Sequence, residues 1–400
     1  MNAACSSRRQ SWLYLFLLTA GHFFSDFYTN FLPALLPVVI ATQGLSLTLS
    51  GLLVMVFSVS SSMLQPVCGY FVDKSGYTWL LLTTLPVSAA FICFSGLATS
   101  TILLFCAVAF SGIASSLFHP LASSLTSRVV PSNNKNAAMS LFIGGGNLGF
   151  ALAPAIIIYF LVNFGIEYLP WLIIPAIIVT LAFYCGGLHK INLTVSGQRL
   201  KTSQPWYKSG SILKLNAVMA LRSWPQVAIP TFLPVMLAAQ GYPPALAGNM
   251  LTVFLLCGAL GGFIGGYISD RTGYKKCILL SLIFCLPPTY LFLSADTISW
   301  LTWLSLALCG AALQSMVPSS IIWAQTILPE NAAMASGMML GLTFGLGGVG
   351  TAITGAVADY IGLQQALLWT IVPLVIALPL TAAIPVRQPA GQSNQSLPVK

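Results

Sequence analysis

Long apolar stretches, each about long enough to cross a bilayer, constrain this 400-residue chain more than any other feature. A helix needs about 20 mostly apolar residues to span the hydrocarbon layer. Charged residues make up only 6% of the chain, whereas a soluble domain carries about 25%, so most of its surface must face lipid. We therefore predict an all-α integral membrane protein with twelve transmembrane helices at 12–40, 48–71, 78–97, 101–125, 137–163, 168–188, 213–239, 246–269, 277–294, 298–322, 333–357 and 363–386.

The basic residues alternate between loops in a way that predicts the orientation. With the N-terminus in the cytoplasm, every Lys and Arg except Arg222 falls on the cytoplasmic side. The opposite side then holds only Glu167, Asp296 and Asp359. Cytoplasmic loops carry such an excess of Lys and Arg, so we predict a multi-pass bacterial inner-membrane protein with both termini in the cytoplasm. The net charge of +9 therefore indicates topology and not a nucleic-acid partner.

The two halves of the chain resemble each other at a spacing of about 197 residues. Gly69–Tyr77 matches Gly266–Tyr274, and Asn136–Met139 recurs as Asn331–Met334. Two parallel repeats of this kind place a substrate site between the halves near the middle of the membrane. The predicted organisation is a six-helix bundle at 1–188, a basic cytoplasmic linker at 189–212, a second bundle at 213–386 and a cytoplasmic tail at 387–400.

The loop after the second span resembles the signature loop of the major facilitator superfamily. It contains Gly69, Asp73, Lys74 and Gly76, and the second half repeats it as Gly266, Asp270, Arg271 and Gly273. Further stretches, 21–33, 117–120, 145–149 and 221–224 among them, are similar to the fosmidomycin-resistance branch of that superfamily. The resemblance implies two pseudo-symmetric six-helix halves and a proton-driven antiporter that exports small drugs, including the phosphonate fosmidomycin. Leu121 departs from the branch, where an acidic residue often follows the His-Pro pair, so coupling or substrate range could differ.

Four ionisable residues lie well inside the predicted spans: His22, Asp26, His119 and Arg222. A charged side chain at mid-helix costs roughly 2.5–3.5 kcal/mol on insertion scales, and such residues usually line a pathway or pair with one another. They fall on spans 1, 4 and 7, which the resemblance implies line a central cavity together with span 10.

Their spacing suggests roles. His22, Asp26 and Asn30 stand four residues apart and form one polar face of span 1. We expect Asp26 to bind the proton with His22 tuning its affinity, and Arg222 either to pair with Asp26 or to receive an anionic group of the substrate. The alternatives are a permanent Asp26–Arg222 ion pair that fixes helix packing, and a purely structural His119. The predicted substrate-binding set is Arg222, His119, Asn30, Gln226 and Gln314.

The two signature loops are expected to act as cytoplasmic gates, because their Asp can cap a neighbouring helix or bond a basic partner. The alternative is a pair of plain solvated turns. The glycine runs of spans 5 and 11 are interpreted as close-packing and hinge elements.

The residues do not favour an enzyme. The three histidines give no paired haem ligands, and no zinc-protease, nucleotide-binding or nucleophile-elbow motif occurs. The expected partners are a small-molecule substrate, protons and the lipid bilayer, with no cofactor, no metal and a monomeric state. Uptake or exchange of a small metabolite or anion remains the alternative transport function.

Overall fold

A computed structural model of the protein describes residues 2–129, 135–191, 206–329 and 332–385. All regular secondary structure in these ranges is helical. Within lipid, every backbone N–H and C=O must be bonded inside the protein, and a helix achieves this within one segment.

Each of the twelve predicted spans corresponds to a helix or to a helix with a short break. Span 1 comprises Asn2–Thr29 and Leu32–Gln43, span 2 comprises Leu47–Ser58, a π turn at Val59–Met63 and Gln65–Ser75, and span 3 comprises a 3₁₀ turn at Thr78–Leu80 and Leu81–Ser95. Spans 4 and 5 are Thr101–Val129 and Lys135–Phe164, and span 6 comprises a 3₁₀ segment at Ile166–Ile173 and Ile174–Gly186, with 3₁₀ turns at Leu188–Lys190 and Trp206–Lys208 after it. Spans 7 to 10 are Gly210–Ala239, Pro244–Thr272, Tyr274–Leu293 and Trp300–Ile327. Span 11 comprises Ala332–Gly337, a π turn at Met338–Leu342 and Thr343–Ile361, and span 12 comprises Leu363–Trp369 and Ile371–Ala382.

Eleven of these spans are long and apolar enough to cross a membrane by hydropathy alone, and span 7 is the twelfth. Span 7 has three internal prolines and buries several polar side chains, Asn216, Arg222 and Gln226 among them. Its lower hydropathy therefore reflects a helix whose polar side chains face other helices and not lipid.

Spans 1–6 (the N-half) and spans 7–12 (the C-half) form the two predicted pseudo-symmetric bundles. Corresponding glycines hold corresponding helices together. A Cβ on Gly112 of span 4 would collide with Ser60 of span 2, and one on Gly310 of span 10 would collide with the backbone of Phe254 in span 8. The repeat detected in the sequence thus has a packing counterpart.

The halves meet along spans 2 and 11, where small residues allow close approach. A Cβ on Gly51 would lie 2.7 Å from the Thr351 carbonyl oxygen, and one on Gly348 would lie 2.6 Å from the Ser58 Cβ. Spans 5 and 8 meet similarly at Gly248, whose added Cβ would lie 3.1 Å from the Ala155 Cα.

The fold-class prediction is confirmed. The exact domain boundaries remain predictions, since positions 192–205 of the linker and the whole 387–400 tail lie outside the described residues.

Candidate functional site

A cavity of about 260 Å³ lies between the two halves. Spans 1, 2 and 5 form its N-half wall and spans 7, 8, 10 and 11 its C-half wall. The polar lining residues are Asp26, Thr29, Asn30, Ser58, Ser61, Ser62, Asn147, Gln226, Thr231 and Gln314. Asp26 is the one ionisable side chain among the lining residues.

Asp26 is held between two histidines. The His22 Nε2 lies 3.3 Å from one Asp26 carboxylate oxygen, and the His119 Nε2 lies 3.5 Å from the other. All three side chains are largely buried. None of the described lining residues belongs to span 4, so His119 contacts Asp26 without forming part of the cavity wall.

The His22 ring is fixed by span 5. Its Nδ1 lies 2.7 Å from the Phe142 carbonyl oxygen, and its ring stacks on that of Phe142 with centroids 4.1 Å apart. This approach requires glycine at position 146, since a Cβ there would lie 2.6 Å from the His22 Nε2 and would also collide with Asp26.

Span 1 is broken at the point where its polar residues line the cavity. Pro33 has no N–H to continue the helix, which stops at Thr29 and restarts at Leu32. The Asn30 Nδ2 at this break donates to the Phe150 carbonyl oxygen at 2.8 Å. Spans 1 and 5 are thereby joined on both sides of Asp26.

Arg222 is fully buried in the C-half, and its hydrogen bonds to the described residues all go to neutral groups. Its Nε donates to the Leu313 carbonyl oxygen at 2.6 Å, and its Nη2 donates to the Gln314 Oε1 at 2.7 Å. Within the described part of the chain, the ion pairs of Asp26 are those with the histidines, so the alternative of a permanent Asp26–Arg222 pair is not formed. Arg222 also stands behind the cavity wall, whereas Gln226 and Gln314 are part of it.

Each of the two signature loops ends its helix at a glycine, although Gly76 is left-handed helical (ψ 17°) and Gly273 is extended in ψ (152°). Gly76 and Gly273 both have positive φ, 63° and 85°, which glycine adopts at no steric cost. Gly69 and Gly266 face Pro120 and Pro318 in the corresponding spans 4 and 10.

The charged residues of these loops bear on the gate interpretation. The side chains of Asp73 and Lys74 lie outside the described residues. Asp270 is exposed, and the Arg271 guanidinium lies over the Tyr267 ring at 4.3 Å. The gate role of both loops stays a prediction.

Other residues at the halves' interface were not singled out as functional in the sequence. The Asp359 carboxylate, at the end of span 11, accepts from the backbone N–H groups of Leu47 and Thr48, each at 2.9 Å, and from the Thr48 hydroxyl at 2.6 Å. It therefore caps the start of span 2 across the two halves. Ser58, Ser61, Ser62, Asn147 and Phe344 are further cavity residues whose position depends on how the helices are rotated.

One ligand atom each of His22, Asp26 and His119 lies within 4.8 Å of the others, a spacing that also suits a cation. A closed structural zinc site takes four protein ligands, whereas an open site takes three and a water, so this group has the ligand number of an open site.

Comparison with known proteins agrees with this architecture. The profile of the Major Facilitator Superfamily matches residues 15–225 and 215–398. An uncharacterized MFS-type transporter, YfnC of Bacillus subtilis, is 29% identical over 88% of each chain. The fosmidomycin resistance protein of Escherichia coli is 27% identical over 90% of each chain, which supports the resemblance seen in the sequence.

Solved structures share the fold. The nucleoside transporter NupG superposes with a TM-score of 0.75, covering 93% of this chain and 98% of that one at 16% identity. A bacterial homologue of the human lysosomal transporter Spinster, in an inward-facing conformation, also gives 0.75 at 16% identity, covering 93% and 96%. The family's members are membrane transporters and not enzymes. Because the profile spans nearly the whole sequence, this chain belongs to the Major Facilitator Superfamily.

Proposed function

We propose that this protein is a proton-coupled antiporter that exports small polar drugs, fosmidomycin-like phosphonates among them, through rocking of its two halves. The observation that carries the proposal is the contact between Asp26 and His22 on the cavity wall.

The hydrogen bonds of His22 define how many protons this contact holds. The Phe142 carbonyl oxygen can only accept, so the His22 Nδ1 carries a hydrogen and donates it. In a neutral imidazole the other nitrogen, Nε2, is then an acceptor. A carboxylate is also an acceptor, so the 3.3 Å contact between them needs one additional proton, on either group.

The same reasoning makes the deprotonated cluster unstable. Without that proton, the Asp26 carboxylate faces the Nε2 lone pair of His22. Asp26 then gains from turning toward the cavity, where water or a substrate group can donate to it. Substrate and proton thus compete for one carboxylate, which is the coupling that an antiporter requires.

Alternating access needs contacts between the halves that break and re-form. The Asp359 cap on span 2 is such a contact, since it joins the halves at the end of span 11 that the charge pattern places outside the cytoplasm. With this orientation both termini are cytoplasmic, in a bacterial inner membrane, and one chain forms the complete cavity, as expected of a monomer. Export, and not uptake, is favoured by the likeness to a protein named for drug resistance.

The test is fosmidomycin protection in a drug-sensitive bacterium that lacks its own exporters. Wild type should raise the inhibitory concentration, and Asp26→Asn should not at equal membrane abundance. Asp296→Asn is the matched control because it neutralises an exposed carboxylate far from the cluster, and it should protect like wild type. Proton-driven export that survives in purified, reconstituted Asp26→Asn would refute the assignment of Asp26.

A further inference from the structure

Arg222 is a buried cation whose charge no carboxylate balances. Its three hydrogen-bond acceptors, Leu313, Gln314 and Ser223, are all uncharged, and the Ser223 contact is long at 3.4 Å. No carboxylate of the described residues lies within 4 Å of the guanidinium. A guanidinium offers five N–H donors, so these bonds leave donors unused. The titratable neighbour that interacts with Arg222 is the Cys285 thiol, which carries no charge while it keeps its proton. Buried charges are normally paired, so an oxyanion partner has to come from elsewhere.

Gln314 connects this cation to the cavity. A guanidinium has no acceptor, so the Gln314 atom bonded to the Arg222 Nη2 at 2.7 Å must be the amide oxygen. The amide NH₂ is therefore left for other partners, and the Gln314 side chain lines the cavity. Arg222 thus orients the Gln314 amide so that its NH₂ can donate to a group in the cavity. The positive charge of Arg222 lies directly behind Gln314, on the side away from the cavity.

Gln226 provides a second sign of a missing ligand on the same wall. Its side chain is nine-tenths buried and lines the cavity, but its Oε1 has no hydrogen-bond partner among the described residues. Gln226 follows Arg222 by one helical turn, so both side chains lie on one face of span 7. An unbonded buried acceptor costs about 1–3 kcal/mol. The Oε1 lies below the cavity surface, so rotation of the Gln226 amide would let it accept from a donor on the transported molecule and remove that cost.

We infer that Gln314 and Arg222 form a seat on the C-half wall for an oxyanion of the transported molecule, with Gln226 accepting from a donor beside it. The seat rests on the proposed export function and names its substrate class as a phosphonate, phosphate or carboxylate. Planar guanidinium groups bind such oxygens in a bidentate way. The anion binds through the Gln314 NH₂, or directly to Arg222 after the flexible Gln314 side chain turns aside.

The seat can be tested without knowing the natural substrate. Methylphosphonate and its neutral dimethyl ester differ in charge at one group, and ³¹P line broadening reports the binding of either to the full-length protein in lipid nanodiscs. Wild type should bind methylphosphonate about tenfold or more tightly than the ester, because only the anion compensates Arg222. Equal binding of the two compounds, or no binding of methylphosphonate at millimolar concentration, would overturn the inference.

Two substitutions at position 314 separate charge from shape. Gln314→Glu supplies Arg222 with an internal carboxylate, so methylphosphonate binding should weaken about tenfold or more while ester binding stays within about twofold. Gln314→Met removes the amide at similar volume without adding charge. The preference for the anion should therefore fall by less than in Gln314→Glu, because Arg222 still has no internal carboxylate partner. A preference unchanged in Gln314→Glu, or lost equally in Gln314→Met, would remove Arg222 from the role.

The proposed antiport is tested by proton release, which is a different measurement from the binding preference that tests the seat. Proton release on substrate addition depends on Asp26, whereas the charge preference depends on position 314. If Asp26→Asn lost proton release and kept the preference for methylphosphonate, both proposals would be supported. If wild type released no proton but preferred the anion, the antiport proposal would fail and the seat would stand.

Discussion

Replacing Gly146 by alanine should disrupt the proton site at Asp26, whereas replacing Gly144 should not. A Cβ at position 146 would lie 2.6 Å from both the Cε1 and the Nε2 of His22 and would also collide with Asp26. Ordinary contacts between such atoms are about 3.5 Å, so the pair would have to retreat by about 1 Å. At position 144 no atom of the described residues lies within 4 Å of an added Cβ.

The expected loss of proton affinity in Gly146→Ala follows from the displacement of the His22–Asp26 contact. Overpacking of this kind costs about 1–3 kcal/mol. The His22–Asp26 contact that holds the proton is already 3.3 Å long, so a further increase in this distance weakens it. If the protonated pair bears most of this cost, proton binding weakens roughly tenfold, the factor that about 1.4 kcal/mol represents. Both substitutions share the same gain in helix propensity of about 1 kcal/mol, so their difference isolates the collision.

Proton release on addition of fosmidomycin to purified protein, followed with an indicator dye in weak buffer, measures the effect. Gly146→Ala should release far fewer protons than wild type at the same pH, and Gly144→Ala should match wild type. Equal release from Gly146→Ala and wild type, or an equal loss in both variants, would refute the reasoning about the Asp26–His22 contact.

Three further substitutions test other contacts. Asp359→Ala removes the acceptor of the Leu47 and Thr48 N–H groups, while the Ser46 cap of span 2 stays. A side-chain cap is worth about 0.5–2 kcal/mol, so hydrogen exchange at Leu47 and Thr48 should quicken by up to about thirtyfold. The exposed neighbour gives the control Tyr360→Phe, and unchanged exchange in Asp359→Ala would contradict the role of Asp359. Gly261→Ala should lower the melting temperature of the full-length protein, because its Cβ would lie 2.5 Å from the Ala311 Cα. The adjacent Gly262→Ala is the control and should not lower it, since its Cβ meets an ordinary 3.7 Å contact. Equal melting temperatures of the two variants would show that spans 8 and 10 are less closely packed than described. Trp224→Phe loses the 2.8 Å bond from the indole to Thr354 and should destabilise the C-half by about 1 kcal/mol; an unchanged denaturation midpoint would show that this bond adds no net stability.

Much of the site could be predicted from the sequence because the spacing of residues on one helix and the presence of an ionisable residue within an apolar span are both local features. Residues four apart share a helix face, so the contact between His22 and Asp26 follows from their spacing once span 1 is helical. The free-energy cost of an ionisable group in lipid also predicts that His119 and Arg222 have a functional role.

The partners of these side chains could not be predicted. Whether Asp26 pairs with Arg222 or with the histidines depends on how spans 1, 4 and 7 are rotated and spaced, and both pairings fit the same sequence. The structure pairs Asp26 with His22 and His119, and leaves Arg222 with Gln314.

The sequence by itself determined the membrane environment, the twelve helices and the two-fold repeat, because hydropathy, charge placement and periodicity are properties of single segments. Only the tertiary structure decided that the Phe142 carbonyl orients His22, that Gly146 makes room for the proton site, and that Asp359 caps span 2 from the other half. These contacts join residues that are far apart in the chain, and their geometry exists only once the helices have packed.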